Sequence, residues 1–284
     1  MNLNEYGIRV SRVWPILLSG ILAIVSQPVR AQGDSGFLRG QGKLDLALTY
    51  AVDTYDRFWI GSDTVDDAPF GRVSRQTANI YGAYGLSDDM DLAFSASFVY
   101  VSTDEVFDSE KALQDFYAQL KWRVLAKGLE SGRLNLLVAP AVKIPLTHYE
   151  DNAVPAVGDG QVDLRFRTIL QFVFNSGSFL ALETGYDFRL DEPPNEVPVH
   201  LTGGFTLIQR LTIAGFYSFT KSLGGYNIGE GDFPGVKEEY DRLGLNLYCR
   251  LDDRHGITFS AWTTLDGMNT GDVDGAALGI VLRY

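Results

Sequence analysis

The chain has 284 residues, a formal net charge of −12 and one cysteine, Cys249. The acid excess argues against nucleic acid as a partner, because phosphate binding needs a basic surface, and a single thiol excludes an intramolecular disulfide. Beyond residue 31 no apolar run reaches the roughly 20 residues that a membrane-spanning helix requires.

Arg9 and Arg12 precede an apolar run from Val13 to Val25, closed by Gln27-Pro28-Val29-Arg30-Ala31. A basic start, a short apolar stretch and a small-x-small exit describe a secretory signal peptide over 1–31, cleaved before Gln32. Cleavage removes three arginines and Glu5, which takes the net charge from −12 to −14. Residues 32–42, glycine-rich around Phe37-Leu38, read as a short flexible periplasmic lead.

From residue 43 to 284 the pattern has period two, the signature of strands whose side chains alternate between two faces. Twelve strands are expected at about 43–59, 73–86, 90–103, 112–127, 133–148, 160–175, 178–191, 197–209, 211–222, 237–251, 256–266 and 273–284. In the fourth, Phe116, Ala118, Leu120, Trp122 and Val124 oppose Asp115, Tyr117, Gln119, Lys121 and Arg123. The sixth sets Leu164, Phe166 and Leu170 against Asp163, Arg165 and Arg167. The seventh sets Leu182, Tyr186 and Phe188 against Glu183, Asp187 and Arg189, and the tenth sets Leu243 to Leu251 against Arg242 and Arg250. The last strand carries Leu278, Ile280, Leu282 and the terminal Tyr284 on one apolar face.

Connections alternate in length. Those near 87–89, 128–132, 175–177, 209–210 and 252–255 are short, and those at 60–72, 104–111, 149–159, 192–196, 223–236 and 267–272 are mostly longer. Aromatics, 12% of the chain, gather near strand ends: Tyr55, Phe58 and Trp59 at one end, Phe172, Phe174, Phe179 and Tyr284 at the other. Short turns opposite long loops, an even strand count and aromatic girdles describe an outer-membrane barrel. The expected fold is all-β: a closed antiparallel transmembrane β-barrel of twelve strands with both termini periplasmic, which needs no helix because its wall satisfies every backbone group.

The inward register then holds Lys121, Arg123, Lys143, Arg165, Arg167, Arg189, Arg242 and Arg250 among the cations, Asp163, Glu183 and Asp187 among the anions, and His200. Two readings stay open. The charges pair across the interior, since isolated ones are costly away from water, or they line a narrow hydrated path for a solute. Pro140 and Pro145 fall in the fifth strand, where each lacks a ladder donor; a local break there, leading into the loop that follows, would make a constriction.

Ala141-Val-Lys-Ile-Pro145 and then Val157-Gly-Asp-Gly-Gln-Val-Asp-Leu164 resemble the outer-membrane transporter family of the meta-cleavage phenol-degradation pathway. The resemblance implies a twelve-stranded barrel that passes small solutes, aromatic or hydrophobic compounds among them, and it carries over no catalytic residue. A closed structural or ligand-binding barrel without an open pore is the alternative. An outer-membrane lipid hydrolase is a distant third: of three histidines only His148 sits near the outer rim, and no Gly-x-Ser-x-Gly elbow accompanies it.

No cofactor is expected. Nor is a metal site: Asp272-Val-Asp274-Gly275 lacks the carboxylate that a calcium loop needs where Val281 stands. Localisation in the bacterial outer membrane implies lipid and lipopolysaccharide, the barrel assembly machinery (reading the strand that ends at Tyr284) and a small-molecule solute as partners.

Overall fold

The computed structural model describes residues 34–66, 71–104, 108–149, 157–191, 193–231 and 235–284. The expected signal peptide lies outside them, as do the loop residues Asp67, Glu150, Asp151 and Asp232. The elements are β1 (Leu44–Tyr55), β2 (Phe58–Ile60), β3 (Asp63–Val65), β4 (Val73–Gly85), β5 (Met90–Thr103), β6 (Glu110–Leu129), β7 (Gly132–Pro145), β8 (Asp163–Phe174), β9 (Phe179–Arg189), β10 (Asn195–Leu207), β11 (Leu211–Leu223), β12 (Glu239–Arg250), β13 (His255–Met268) and β14 (Asp274–Arg283).

Twelve of them close a single antiparallel barrel in the order β1-β14-β13-β12-β11-β10-β9-β8-β7-β6-β5-β4, while β2 and β3 form a separate hairpin. Each barrel strand corresponds to one expected from the sequence. Period-two alternation is why: leucines and aromatics at every second position face lipid, and polar or small residues between them face the lumen. Phe166, Leu170, Leu180, Leu278 and Tyr284 are exposed on the outer wall, whereas Asp163, Lys121, Leu137 and Ser218 on the inner wall are almost fully buried. Leu170→Arg, near the middle of β8, should cost about 2–4 kcal/mol of barrel stability; urea unfolding of the reconstituted protein measures it.

Three features depart from expectation. β1 ends at Tyr55, and Phe58 and Trp59 belong to the hairpin. These two aromatics are buried instead of forming a girdle; Trp59 N–H donates to the Thr270 carbonyl and Phe58 pairs with Gly271. Tyr55 packs inside against the cluster of Ala51, Phe216, Trp262, Val273 and Ala277, and Phe179 is buried against Phe37. Phe174 and Tyr284 do stand on the outer surface at the periplasmic end.

Second, Pro140 interrupts the ladder without turning the strand. β7 keeps its register on β6 from Asp115↔Pro145 to Arg123↔Leu137, with only the pairs between Gln119↔Ala141 and Trp122↔Val138 missing. The lost N–H costs ladder bonds, not direction, and Pro140 shares the lipid face with its partner Phe166. Pro145 ends the strand. β6, by contrast, is irregular. It gains one residue between its pairs with Ala96 and Phe98, so that Gln114 and Asp115 both point inward.

Third, the lead is not free. Residues 34–40 enter the barrel from the periplasmic end and lie against its inner wall. Gly36, at φ +80°, passes so close to Ile169, Leu137 and Gln171 that a side chain there would crowd them.

Candidate functional site

The lumen is built from register rows, residues opposite each other on successive strands. One row runs Tyr81–Ser95–Tyr117–Lys143–Asp163–Arg189. Another runs Phe216–Gly244–Trp262–Gly275–Asp53–Arg75. The first row runs from tyrosines to charges, while the second lays rings over glycines before it reaches Asp53 and Arg75, so the two sides of the lumen differ in chemistry.

The ionic side lies on β6 to β10. Lys143 Nζ pairs with Asp159 and, at 2.9 Å, with Asp163 Oδ2. Arg165 Nη2 donates to Asp163 Oδ2 at 2.8 Å and its Nε stands 3.6 Å from Asp187 Oδ2. Arg167 pairs with Asp187 and places Nε 3.4 Å from Glu183 Oε1. Arg189 reaches Glu196 at 2.8 Å and Asp159 at 3.8 Å. Seven of the sequence-derived lumen residues (Lys143, Asp163, Arg165, Arg167, Glu183, Asp187 and Arg189) are therefore brought together, mostly as partners of one another. Removing one partner of such a buried pair would leave an uncompensated charge.

His200 completes a polar row with Ser218 and Glu183 on either side. Its Nδ1 lies 2.8 Å from Ser218 Oγ, while Nε2 is 4.0 Å from Glu183 Oε1. Ser218 is 0% exposed, so no lipid ester can approach the hydroxyl. His255 is spent on its turn: its Nδ1 lies 2.9 Å from Asp252. The N–H groups of Arg254 and His255 donate to that carboxylate and hold it below the usual range.

Three other sequence-derived residues stand apart from the ladder. Arg123 lies at the periplasmic rim, held by Asp89 at 2.5 Å and the Asp88 carbonyl. Arg250 donates to the Gln209 carbonyl in another periplasmic turn. Arg242, on the far wall, lies over the Tyr240 ring and donates to Thr264. Arg123 and Arg250 are placed by turns, because strands near their ends expose long side chains to whatever the adjacent turn offers.

Two inserted segments close on the ladder from opposite ends. From below, the lead supplies Asp34, whose N–H donates to Glu183 Oε2 at 2.5 Å and whose carboxylate pairs with Lys121 at 3.0 Å. Lys121, 1% exposed, also donates to the Phe37 carbonyl. Gln171 donates to the Ser35 carbonyl, Arg39 pairs with Asp45, and the Arg39 N–H donates to Asp91. Phe37 meets Phe179 edge to face at 5.0 Å between centroids. From above, Val157 is buried among Val73, Val99 and Val101. Gln114 donates to the Val157 carbonyl, and Tyr149 donates to Asp115. The bulge on β6 has its reason here: both of its inward residues hold the upper segment.

Neither insertion follows from strand periodicity. Residues 34–40 have no period, and their one apolar pair sits among glycines. The Val157–Leu164 motif marks the upper segment, but the motif alone carries no direction.

Between the insertions, a strip of half-buried residues runs along the lumen, and Arg189 and Arg242 are half-buried beyond it. Asp53, Arg75, Tyr81, Ser95, Ser97, Tyr117 and Arg165 are half-buried, whereas the inward residues of β11 from Thr212 to Ser222 are buried. The Arg165 guanidinium lies 5.7 Å from the Tyr117 ring centroid.

The fold has solved relatives. A COG4313 outer membrane channel from Pseudomonas putida F1 superposes with a TM-score of 0.70 at 14% identity, over 92% of this chain and 100% of that one. The translocator domain of the autotransporter NalP from Neisseria meningitidis gives 0.53 at 12% identity, over 87% and 90%. At such identities the likeness is one of fold. No curated protein matches the sequence. A family model described as "Putative MetA-pathway of phenol degradation" matches residues 30–278, and the chain belongs to that family.

Proposed function

We propose that the barrel passes small solutes across the outer membrane, aromatic or hydrophobic compounds among them, along the half-buried strip. One observation carries this: Asp53, Arg75, Tyr81, Ser95, Ser97, Tyr117 and Arg165 keep partial exposure along one strip of the lumen, whereas the inward residues of β11 are buried. An interior filled all round would suit a purely structural barrel. A strip that is open on one side and blocked at two heights by inserted segments suits a gated route. Tyr81 and Tyr117 flank Ser95 in one register row, so the route offers ring faces with a hydroxyl between them, a surface matched to a flat, weakly polar solute.

Of the sequence-derived residues, Arg165 belongs to the route as a cation alongside Arg75, and its ladder partners hold the wall behind it. Lipopolysaccharide around the outer rim, and assembly machinery that reads Leu278, Ile280, Leu282 and Tyr284, complete the reading.

Planar-bilayer recording and liposome swelling with the purified protein test it. Discrete steps of small conductance are expected, with swelling by small neutral solutes. Arg165→Gln should shift the reversal potential in a salt gradient toward cations. Silent bilayers together with absent swelling would favour the closed barrel instead.

A further inference from the structure

The ionic side of the lumen is one unbroken sequence of contacts with strictly alternating sign. It begins at Asp159, on the segment inserted from the external side, and passes through Lys143, Asp163, Arg165, Asp187 and Arg167 to Glu183. Glu183 then accepts the Asp34 N–H of the segment inserted from the periplasmic side. We infer that this ladder ties the seat of the periplasmic lead to the Lys143 cation at its external end, so that removing that cation loosens the lead from a distance. Lys143 need not touch the lead for this to hold.

The ladder's spacing suggests how the signal would move. Each carboxylate in its middle is shared between two cations, and the sharing is unequal. Arg165 is 2.8 Å from Asp163 but 3.6 Å from Asp187, and Arg167 reaches Glu183 only at 3.4 Å while it bonds Asp187 closely. Arg165 is also the most exposed member between Lys143 and Glu183, so it has room to move.

Taking Asp159 away from Lys143 lets that ammonium settle wholly on Asp163 and Asp115. Arg165 then turns toward Asp187, and Arg167 is free to follow Glu183. Taking Lys143 itself away does the reverse: Asp163 claims Arg165, Asp187 claims Arg167, and Glu183 is left without a cation of its own beside Asp34, whose carboxylate Lys121 alone balances. Like charges at that separation repel strongly in a poorly hydrated interior. The second perturbation therefore works against the lead, and the first does not.

Ser35 offers a reporter. It is buried, and the lead is anchored there through its backbone carbonyl, not its hydroxyl, so Ser35→Cys preserves the contact. Cys249 is first changed to Ser. The rate at which a membrane-impermeant maleimide labels position 35 in the full-length, detergent-folded barrel then reads how often the lead leaves its seat. Lys143→Met should raise that rate at least tenfold. Lys143→Arg, which restores the cation, should return it to within about threefold of the parent, and Asp159→Asn should leave it near the parent value.

Lys121→Met, which strips the lead of a direct contact, sets the scale for a loosened seat. Retained heat-modifiable migration on gels confirms that each barrel is folded. If Lys143→Met leaves labelling unchanged while Lys121→Met raises it, the ladder is only scaffolding and the coupling is wrong. Should Lys143→Met fail to fold, Arg165→Met applies the same break one step lower. Unchanged labelling in that variant would sink the inference equally.

Discussion

Deleting residues 34–39 from the mature protein should raise its single-channel conductance about threefold or more, the largest functional change available from a single edit. A twelve-strand barrel lies between the eight-strand size, whose interior side chains fill, and the sixteen-strand size, which leaves a wide aqueous channel. Whether it conducts is therefore decided by what else occupies the lumen. Here the lead occupies the periplasmic half. It satisfies Lys121, Gln171 and Asp91 with its own backbone and side chains, and it seats Phe37 on Phe179.

Removing it returns those groups to water without breaking a strand pair, because every bond of the barrel ladder lies outside 34–39. Phe37→Ala should give a smaller increase, since truncating one ring loses packing but leaves the ionic contacts. Conductance that stays at the parental level after the deletion would mean that the external segment alone limits flow.

The contrast between wall and lumen is also the contrast between what the sequence discloses and what it hides. Lipid imposes a strict rule on alternate residues, so β8 and β9 can be read from Phe166, Leu170, Leu182 and Phe188 without any tertiary knowledge. The lumen imposes no such rule. Lys121 and Arg123 stand two residues apart on one face, yet the first is sealed under the lead and the second reaches a turn. Nothing in their spacing separates them. Asp34 and Arg39 gain their meaning from Glu183 and Asp45, and those contacts join positions far apart in the chain. Phe58 and Trp59 mislead for a related reason: aromatics near a strand end suit a girdle and an inward-folded loop equally. Pro140 is harmless because an outward position beside one interrupted stretch of ladder tolerates a missing donor.

Gly275→Val should be severely destructive to the wall, costing about 2–3 kcal/mol or preventing assembly. A Cβ built on Gly275 falls inside the Trp262 indole, and one on Gly244 falls inside the Phe216 ring. Phe216, Gly244, Trp262 and Gly275 occupy successive positions of one register row, so each ring lies flat over a glycine of the next strand. That arrangement gives the wall large apolar contacts with Ala51, Ala277 and Val273 without pushing a ring into the lumen. Valine would force the indole off the wall, either into the lumen or against Ala277, and close packing leaves room for neither.

Refolding into detergent followed by a urea series measures the loss; about 2 kcal/mol corresponds to roughly a thirtyfold shift in the folded-to-unfolded ratio. The pair Gly275→Val with Trp262→Ala should recover much of it, because the new side chain then fills the space the indole vacates. If the valine variant folds as well as the parent, or if removing the indole brings no recovery, the flat-ring packing of this wall is not what holds it together.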